Sequence, residues 1–365
     1  MYLGEAVSKC EHLAGVPLRP ATARELNQIY LAKGVLATTA IEGNTLSEEE
    51  VRKLLEGELK LPPSREYLAH EVKNIINACN RITDELESVA DKVTPDRIKL
   101  FNKWVLEGLE LEKDVIPGNI RLGSVTVGSY RGAPAADCAY LLDRLCEWLN
   151  GDDFLPKPGM EMAFAILKAI IAHLYIAWIH PFGDGNGRTA RLLEVEILLC
   201  AGVPTPAAHL LSDHYNQTRA DYYRLLAQSI RPDGGPIPFI EYALRGFVDG
   251  LKEQLGKIRE QQYDVTWRSY VHEQFRDKTK RKDKRQRDLL LDLSAQPDLV
   301  PIQDIVNLTP RLAGLYSRLK AGPMRTLKRD LNELHRMKLV EFVFGSVSVN
   351  REIILAFLPR RKAKR

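Results

Sequence analysis

At 365 residues, 45% hydrophobic and 27% charged, the chain is long enough for about two domains and too apolar for a collagen-like or wholly disordered protein. Its 52 basic and 48 acidic residues give a net charge of +4, unevenly spread: residues 265–365 hold 23 Lys+Arg against 11 Asp+Glu, which is +12 there and −8 before it. A cationic C-terminal region behind an acidic body suggests a polyanionic partner, or charge that keeps a small domain soluble. The opening MYLGEAVSKCEHLAG has no basic start followed by a long apolar run, so no secretory signal is read and a cytoplasmic location is expected. Five cysteines without CxxC spacing read as reduced thiols. The apolar stretch Ala163 to Ile179 contains Lys168 and His173 and falls short of the ~20 residues a membrane span needs, so it is expected to be a core helix, with no membrane partner.

In chain order, pattern and punctuation predict helices near 21–42, 48–57, 65–89, 95–111, 135–150, 160–179, 187–201, 215–230 and 236–262. Ser47 with Glu50 is a capping-box start signal. Between Pro117-Gly118 and Pro134, the alternating Ile120 to Gly128 segment predicts a small hairpin. The run Arg276 to Asp288 has eight basic residues in thirteen, so 265–287 is expected to be a basic linker or helix extension. Beyond it come expected helices near 286–295, 301–307 and 323–337, then alternation from Val340 to Val349 around Gly345 and a last strand Glu352 to Leu358. Three helices followed by a hairpin form a winged-helix pattern. The tail 360–365 is expected to be disordered. The fold class is therefore mainly α: a helical core with a small β-hairpin flap, followed by an α+β winged-helix domain over 288–359.

One segment concentrates chemistry: His180-Pro181-Phe182-Gly183-Asp184-Gly185-Asn186-Gly187-Arg188-Thr189-Ala190-Arg191. Glycines at 183, 185 and 187 let backbone amides approach an anion, and the helix starting near Gly187 adds partial positive charge there. Asp184 offers one hard oxygen ligand, the sparse protein donation that Mg²⁺ accepts when phosphates supply the rest. Arg188 and Arg191, three apart, present guanidinium groups that match phosphate. His180 can accept a proton from an incoming hydroxyl near neutral pH.

These twelve residues resemble the defining motif of the Fic family, H-P-F-x-[D/E]-G-N-G-R-x-x-R, at every position. Ser212 to Leu225 resembles the family's helix after the catalytic one, and Pro117-Gly118 with Arg121 the start of its flap. The resemblance implies a protein adenylyltransferase that moves AMP from ATP to a Ser, Thr or Tyr hydroxyl of a target protein, or of itself. It implies His180 as general base, Asp184 as Mg²⁺ ligand, and Gly185, Asn186, Gly187 and Arg188 as the phosphate cradle. Arg191 would hold the γ-phosphate. Tyr222 and Tyr223 would line an adenine pocket or, alternatively, pack the core. A target segment would add as a strand to the flap, with Arg121, Val125 and Val127 as its docking residues. The corresponding domains are an N-terminal helical region 1–110 with an inhibitory helix at about 25–43, and a catalytic core 111–264.

Thr38-Thr39-Ala40-Ile41-Glu42-Gly43-Asn44 resembles the family's inhibitory motif [S/T]-x-x-x-E-[G/N], with Thr38, Glu42 and Gly43 in register. A Glu42 carboxylate on Arg191 would neutralise the guanidinium that a γ-phosphate needs. The same stretch also reads as a helix end capped by Gly43. Some relatives with this motif imply that Glu42 also serves to remove AMP. His209 and His214 flank Asp213 without a strong metal-binding spacing, and His173 reads as a core histidine. In the C-terminal module, Leu327, Leu331 and Leu334 form an apolar stripe that leaves Arg325, Lys328, Arg329 and Asn332 facing away, a face suited to duplex DNA or to protein docking. Alternatives stay open: a DNA-binding regulator whose Fic core senses nucleotide, an enzyme with another nucleotide donor, and a homodimer.

Overall fold

The computed structural model describes residues 1–86, 92–127, 130–231, 233–296, 299–317, 319 and 322–355. It packs as two units, Met1–Gly256 and Lys257–Arg365.

The first unit is helical apart from one short hairpin. α1 (Tyr2–Gly15) buries Ala6, Cys10 and Leu13 on one stripe. It is a helix that the sequence reading did not anticipate. α2 (Pro20–Ala40) begins on a proline, and α3 (Glu48–Leu55) on the expected capping box, in which the Glu50 amide donates to Ser47 Oγ and the Ser47 amide to Glu50 Oε2. α4 (Glu66–Glu85) and α5 (Pro95–Leu106) follow, the latter capped by Thr94. The predicted boundary between residues 110 and 111 does not separate two bodies, because α2, α4 and α5 all pack onto the later helix α8.

β1 (Thr126–Val127) and β2 (Tyr130–Arg131) make the hairpin, shorter than the alternation from Ile120 suggested. α6 (Cys138–Leu149) precedes α7 (Glu161–Ile179) and α8 (Asn186–Cys200), which pack along each other. α7 alone among the described helices has the length and apolarity to cross a bilayer, and here half of it is buried in the fold. α8 is buried from Arg188 to Leu199, so its polar residues must find partners inside the protein. After α9 (Thr205–Ala208), the single helix expected at 215–230 is two, α10 (Leu210–Gln217) and α11 (Arg219–Ser229). The break is at Thr218, whose Oγ1 donates to the His214 carbonyl at 2.7 Å and leaves helical dihedrals there. α12 (Ile237–Gln274) runs a dozen residues past the expected end, its last turns carrying buried Trp267 and Val271.

In the second unit α13 (Arg281–Ser294), β3 (Val300–Pro301), α14 (Pro310–Ser317), α15 (Pro323–Arg336), β4 (Val340–Val343) and β5 (Ser346–Val349) surround one core of Trp267, Val271, Phe275, Leu289, Leu327 and Leu331 with their neighbours. The sheet order is β3-β5-β4, all antiparallel, with Val300 and Phe342 both opposite Val347. Phe344 and Gly345 take positive φ in the β4–β5 turn, as a tight hairpin needs.

Three expectations are corrected here. Of the linker or helix extension expected over 265–287, the extension is what forms, as far as Gln274, and there is no free linker: Trp267, Val271, Phe275 and Arg285 are buried in this core. The helix expected at 301–307 is a strand and a 3₁₀ turn, and the helix lies instead at α14, where Thr309 Oγ1 accepts from the Leu312 amide ahead of Pro310. The strand expected from Glu352 is a 3₁₀ turn over Arg351–Leu355, bonded through Arg351 to the Ser294 carbonyl. Its last three residues, and the tail 360–365, lie outside the described residues.

Candidate active site

His180 ends α7 in the left-handed region (φ 50°, ψ 60°), an uncommon conformation for a residue with a β-carbon, and Pro181 follows it. Arg121 holds the turn in place. Its amide donates to the Pro181 carbonyl at 3.0 Å, its Nε to the His180 carbonyl at 2.7 Å, and its remaining nitrogens to the carbonyls of Gly123 and Ala133 at the two ends of the flap. Arg121 is therefore buried, with its donors turned inward: it braces the flap and offers no surface to a docked segment. Val125 is half-buried, its carbonyl accepting from the Gly132 amide, and of Val127 only the backbone is described. Burial lowers the His180 imidazole below its usual range, and the nearby Arg121 charge acts the same way. A hydrogen bond to the Ala177 backbone and the Glu42 and Asp184 carboxylates oppose them without reversing the shift. At neutral pH the ring is uncharged and able to accept a proton.

The turn after His180 is closed from within. Asn186 Oδ1 accepts from the Phe182 amide at 2.9 Å and its Nδ2 donates to the Phe182 carbonyl at 2.8 Å, so this side chain shapes the loop and keeps one N–H donor beyond it. Gly185 caps α8 with φ 77°, and the first intrahelical bond runs from the Thr189 amide to the Gly185 carbonyl at 2.8 Å. The amides before it point out of the helix end, as an anion site requires. A β-carbon at Gly187 would collide with Glu42 Oε1, so the glycine opens this helix end to a carboxylate.

Sequence reasoning missed Asn102, which is fully buried on α5. Its Nδ2 donates to the Asp184 carbonyl at 2.8 Å and to Thr189 Oγ1 at 3.3 Å, and its Oδ1 accepts from the Gly118 amide at 2.9 Å. One amide thus ties the motif turn to the segment leading into the flap. The only signal in the sequence is a polar residue in the apolar run Ile98–Leu106.

Asp184 is exposed and takes both contacts of one Arg188 nitrogen, at 3.1 Å to each oxygen. No group of three or more metal-ligating side chains exists among the described residues. A lone exposed carboxylate beside a phosphate-type cradle nonetheless fits Mg²⁺, which takes most of its ligands from water and phosphate.

Arg191 is buried completely. Its Nη2 donates to Glu42 Oε1 and to the Thr38 carbonyl at 3.0 Å, while Nε and Nη1 are buried without a hydrogen-bond partner. Burial would raise the Glu42 carboxyl, but the Arg191 guanidinium, by charge and hydrogen bond, and Arg188 and His180 beyond it, hold it below the ordinary glutamate range. The turn carrying Glu42 is further held by Arg219, whose Nη2 donates to the Ala40 carbonyl at 2.6 Å, and by Tyr223, whose hydroxyl meets the Ile41 carbonyl at 3.1 Å. Together these donors satisfy the C-terminal carbonyls of α2 and place its negative dipole end against the catalytic helix. Gly43 has φ 102°, so the helix end and the carboxylate contact occur in the same turn.

Tyr222 packs into the core: it is buried, its hydroxyl 2.9 Å from His173 Nε2 and its ring stacked on Tyr215. His173 Nδ1 lies 3.1 Å from Glu194 Oε2, so it is a partnered core histidine. His209 is buried against Gly34, and burial alone pushes its ring down to about 4.

Residues 92–198 match the Fic/DOC family. Among curated proteins, "Protein adenylyltransferase fic-1" of Caenorhabditis elegans is 30% identical over 226 residues, 62% of this chain and 41% of that protein. "Protein adenylyltransferase Fic" of Nematostella vectensis is 29% identical over 61% of this chain and 48% of its own length. The chain thus spans less than half of these relatives. Among solved structures, Fic-1 (residues 134–508) from C. elegans aligns with a TM-score of 0.56 at 26% identity over 71% of this chain and 72% of its own. A Fic family protein from Desulfovibrio desulfuricans G20 shares the fold, with a TM-score of 0.55 at 20% identity over 95% of both chains. With the motif intact, residues 92–198 are similar to the Fic/DOC family domain, and the chain shares the fold of these Fic proteins.

Proposed function

We propose that the chain is an autoinhibited protein adenylyltransferase that transfers AMP from ATP to a Ser, Thr or Tyr hydroxyl of a target protein. The observation that carries this reading is Arg191: a fully buried guanidinium beside the α8 N-terminus, with Nε and Nη1 unpartnered and a single carboxylate, Glu42, where a phosphate oxygen would sit. Leaving donors buried and unpaired costs about 1–3 kcal/mol each, which a phosphate ligand would recover.

In the reaction, neutral His180 takes the proton of the attacking hydroxyl as its oxygen bonds to the α-phosphorus. The bond from that phosphorus to the bridging oxygen breaks, and pyrophosphate leaves. Arg191, Arg188 and the amides of Asn186 and Gly187 hold the phosphates in line, and Arg121 keeps His180 in register with them. Asp184 would hold Mg²⁺, which when bound neutralises phosphate charge. Glu42 on Arg191 withdraws one phosphate anchor while it stays in place. As a related reading, the same carboxylate orients water for removal of AMP from a modified target. Loss of AMP that is unchanged in Glu42→Gly would refute that role.

Incubating wild type, Glu42→Gly and His180→Ala with labelled ATP and Mg²⁺ tests the main proposal. Protein labelling is expected to rise severalfold in Glu42→Gly and to fall by about 10²–10⁴ in His180→Ala. Equal labelling of wild type and Glu42→Gly removes the brake; full labelling of His180→Ala removes the base. Running each labelled nucleoside triphosphate in parallel decides the donor.

A second reading rests on the C-terminal unit. Its helix–strand–helix–helix–hairpin order supports a winged helix, and on α15 Arg325, Lys328, Arg329 and Asn332 are exposed while Leu327, Leu331 and Leu334 are buried. That face suits duplex DNA, with binding that falls steeply with salt through counterion release. A gel shift of the whole protein at low salt, abolished in Arg325→Ala/Lys328→Ala/Arg329→Ala, is expected; no shift at low salt sinks it.

A further inference from the structure

Two carboxylates outside the twelve-residue motif reach its arginines, and only one belongs to the inhibitory turn. The other is Glu71 on α4, whose Oε1 lies 3.5 Å from Arg188 Nη1 and whose Oε2 accepts from Asn44 Nδ2 at 2.8 Å. Asn44 is buried two residues after Glu42, and its side chain is fully used. Nδ2 also donates to the Leu68 carbonyl at 2.9 Å, and Oδ1 accepts from the Leu46 amide at 3.1 Å. The turn therefore touches α8 twice, through Glu42 to Arg191 and through Asn44 and Glu71 to Arg188.

Charge makes the second contact consequential. Around the two guanidinium groups of Arg188 and Arg191 stand three carboxylates, Glu42, Glu71 and Asp184, which leaves one negative charge in excess. Asp184 has a use once a cation arrives, whereas Glu71 only opposes a polyanion and shares the guanidinium that a phosphate would take. We infer that Glu71 is a second carboxylate competing with phosphate for the motif arginines, tethered to the inhibitory turn through Asn44. Displacing that one turn would then loosen both arginines together. This rests on the reading that the site takes a magnesium–triphosphate.

Calorimetric titration of ATP with Mg²⁺ into wild type, Glu42→Gly, Glu71→Gln, Asn44→Ala and Glu42→Gly/Asn44→Ala tests it without relying on turnover. Glu71→Gln keeps the side-chain shape and the Asn44 contact, and is expected to tighten Kd about fivefold. Asn44→Ala is expected to tighten binding in the wild-type background and to add little once Glu42 is gone, because both act on one turn. Unchanged or weaker binding by Glu71→Gln overturns the competition, the weaker result meaning that Glu71 orients Arg188 for phosphate. An equal gain from Asn44→Ala in both backgrounds overturns the tether. If Glu42→Gly itself fails to tighten binding while Glu71→Gln succeeds, the brake at Glu42 is wrong and the competition at Glu71 stands.

Discussion

The two units each bury an arginine–carboxylate pair, and the pairs are built differently. In the C-terminal unit Asp330 is fully buried. Arg285 meets it with two nitrogens at 2.7 and 3.1 Å, Gln286 Nε2 donates at 3.1 Å and the Tyr316 hydroxyl at 3.0 Å, so both oxygens are occupied. In the first unit Arg191 is as deeply buried, yet one of its three nitrogens does all the bonding, to the Thr38 carbonyl and to Glu42, whose side chain is a third exposed. A saturated pair locks α13, α14 and α15 together. An unsaturated one leaves two donors without a partner in the protein, and counting satisfied hydrogen bonds separates the two pairs better than burial does.

Removing the carboxylate from each pair should therefore have opposite signatures. Asp330→Asn strands Arg285 in a core with no replacement ligand. About 3 kcal/mol of stability is expected to be lost, read as faster hydrogen exchange in α13 and α15, with ATP affinity unchanged. Glu42→Gly is expected to cost less, about 1–2 kcal/mol, because the lost partner is partly solvated. Mg²⁺ and ATP should restore that loss in a thermal melt while leaving the Asp330→Asn deficit in place. A Glu42→Gly melt that nucleotide does not raise, or an Asp330→Asn melt that it does, would break the distinction.

One side of this contrast was readable before the fold. The twelve-residue motif and the Thr38 to Asn44 turn are local in sequence, and each residue type there has one evident chemical use. The brace Arg121, the tie Asn102 and the carboxylate Glu71 were not readable in those roles, because their partners lie 59, 82 and 117 residues away and only folding joins them. Arg121 was expected to face a target because it begins a hairpin, yet a buried guanidinium bonded to three carbonyls turns inward. The same limit applies at Tyr222: an aromatic pair on a helix does not say which ring faces the core, and His173 settles it with a hydrogen bond. In the C-terminal unit the basic run from Arg276 looked too polar for a core, but Arg285 enters it because Asp330 is already there to pair with it.

The smallest expected effect is a shift in pH dependence, and it bears on the first unit's pair alone. Burial lowers His180, with Arg121 adding to it, while Glu42 and Asp184 pull the other way. The folded pKa lies below the unfolded one, so the unfolded chain binds the extra proton and this residue subtracts stability as pH falls through the unfolded value. Activity follows the neutral ring, so its acid limb should lie below about pH 6.5. Glu42 is itself held below the ordinary glutamate range, so mild acid does not break its pair with Arg191. Removing Glu42 takes away one of the charges that raise His180, and the acid limb of Glu42→Gly should fall at lower pH than that of the wild type. Initial labelling rates from pH 5 to 8 measure both limbs. A mutant limb at higher pH would mean that Glu42 does not act on the imidazole from the position it holds beside Arg191.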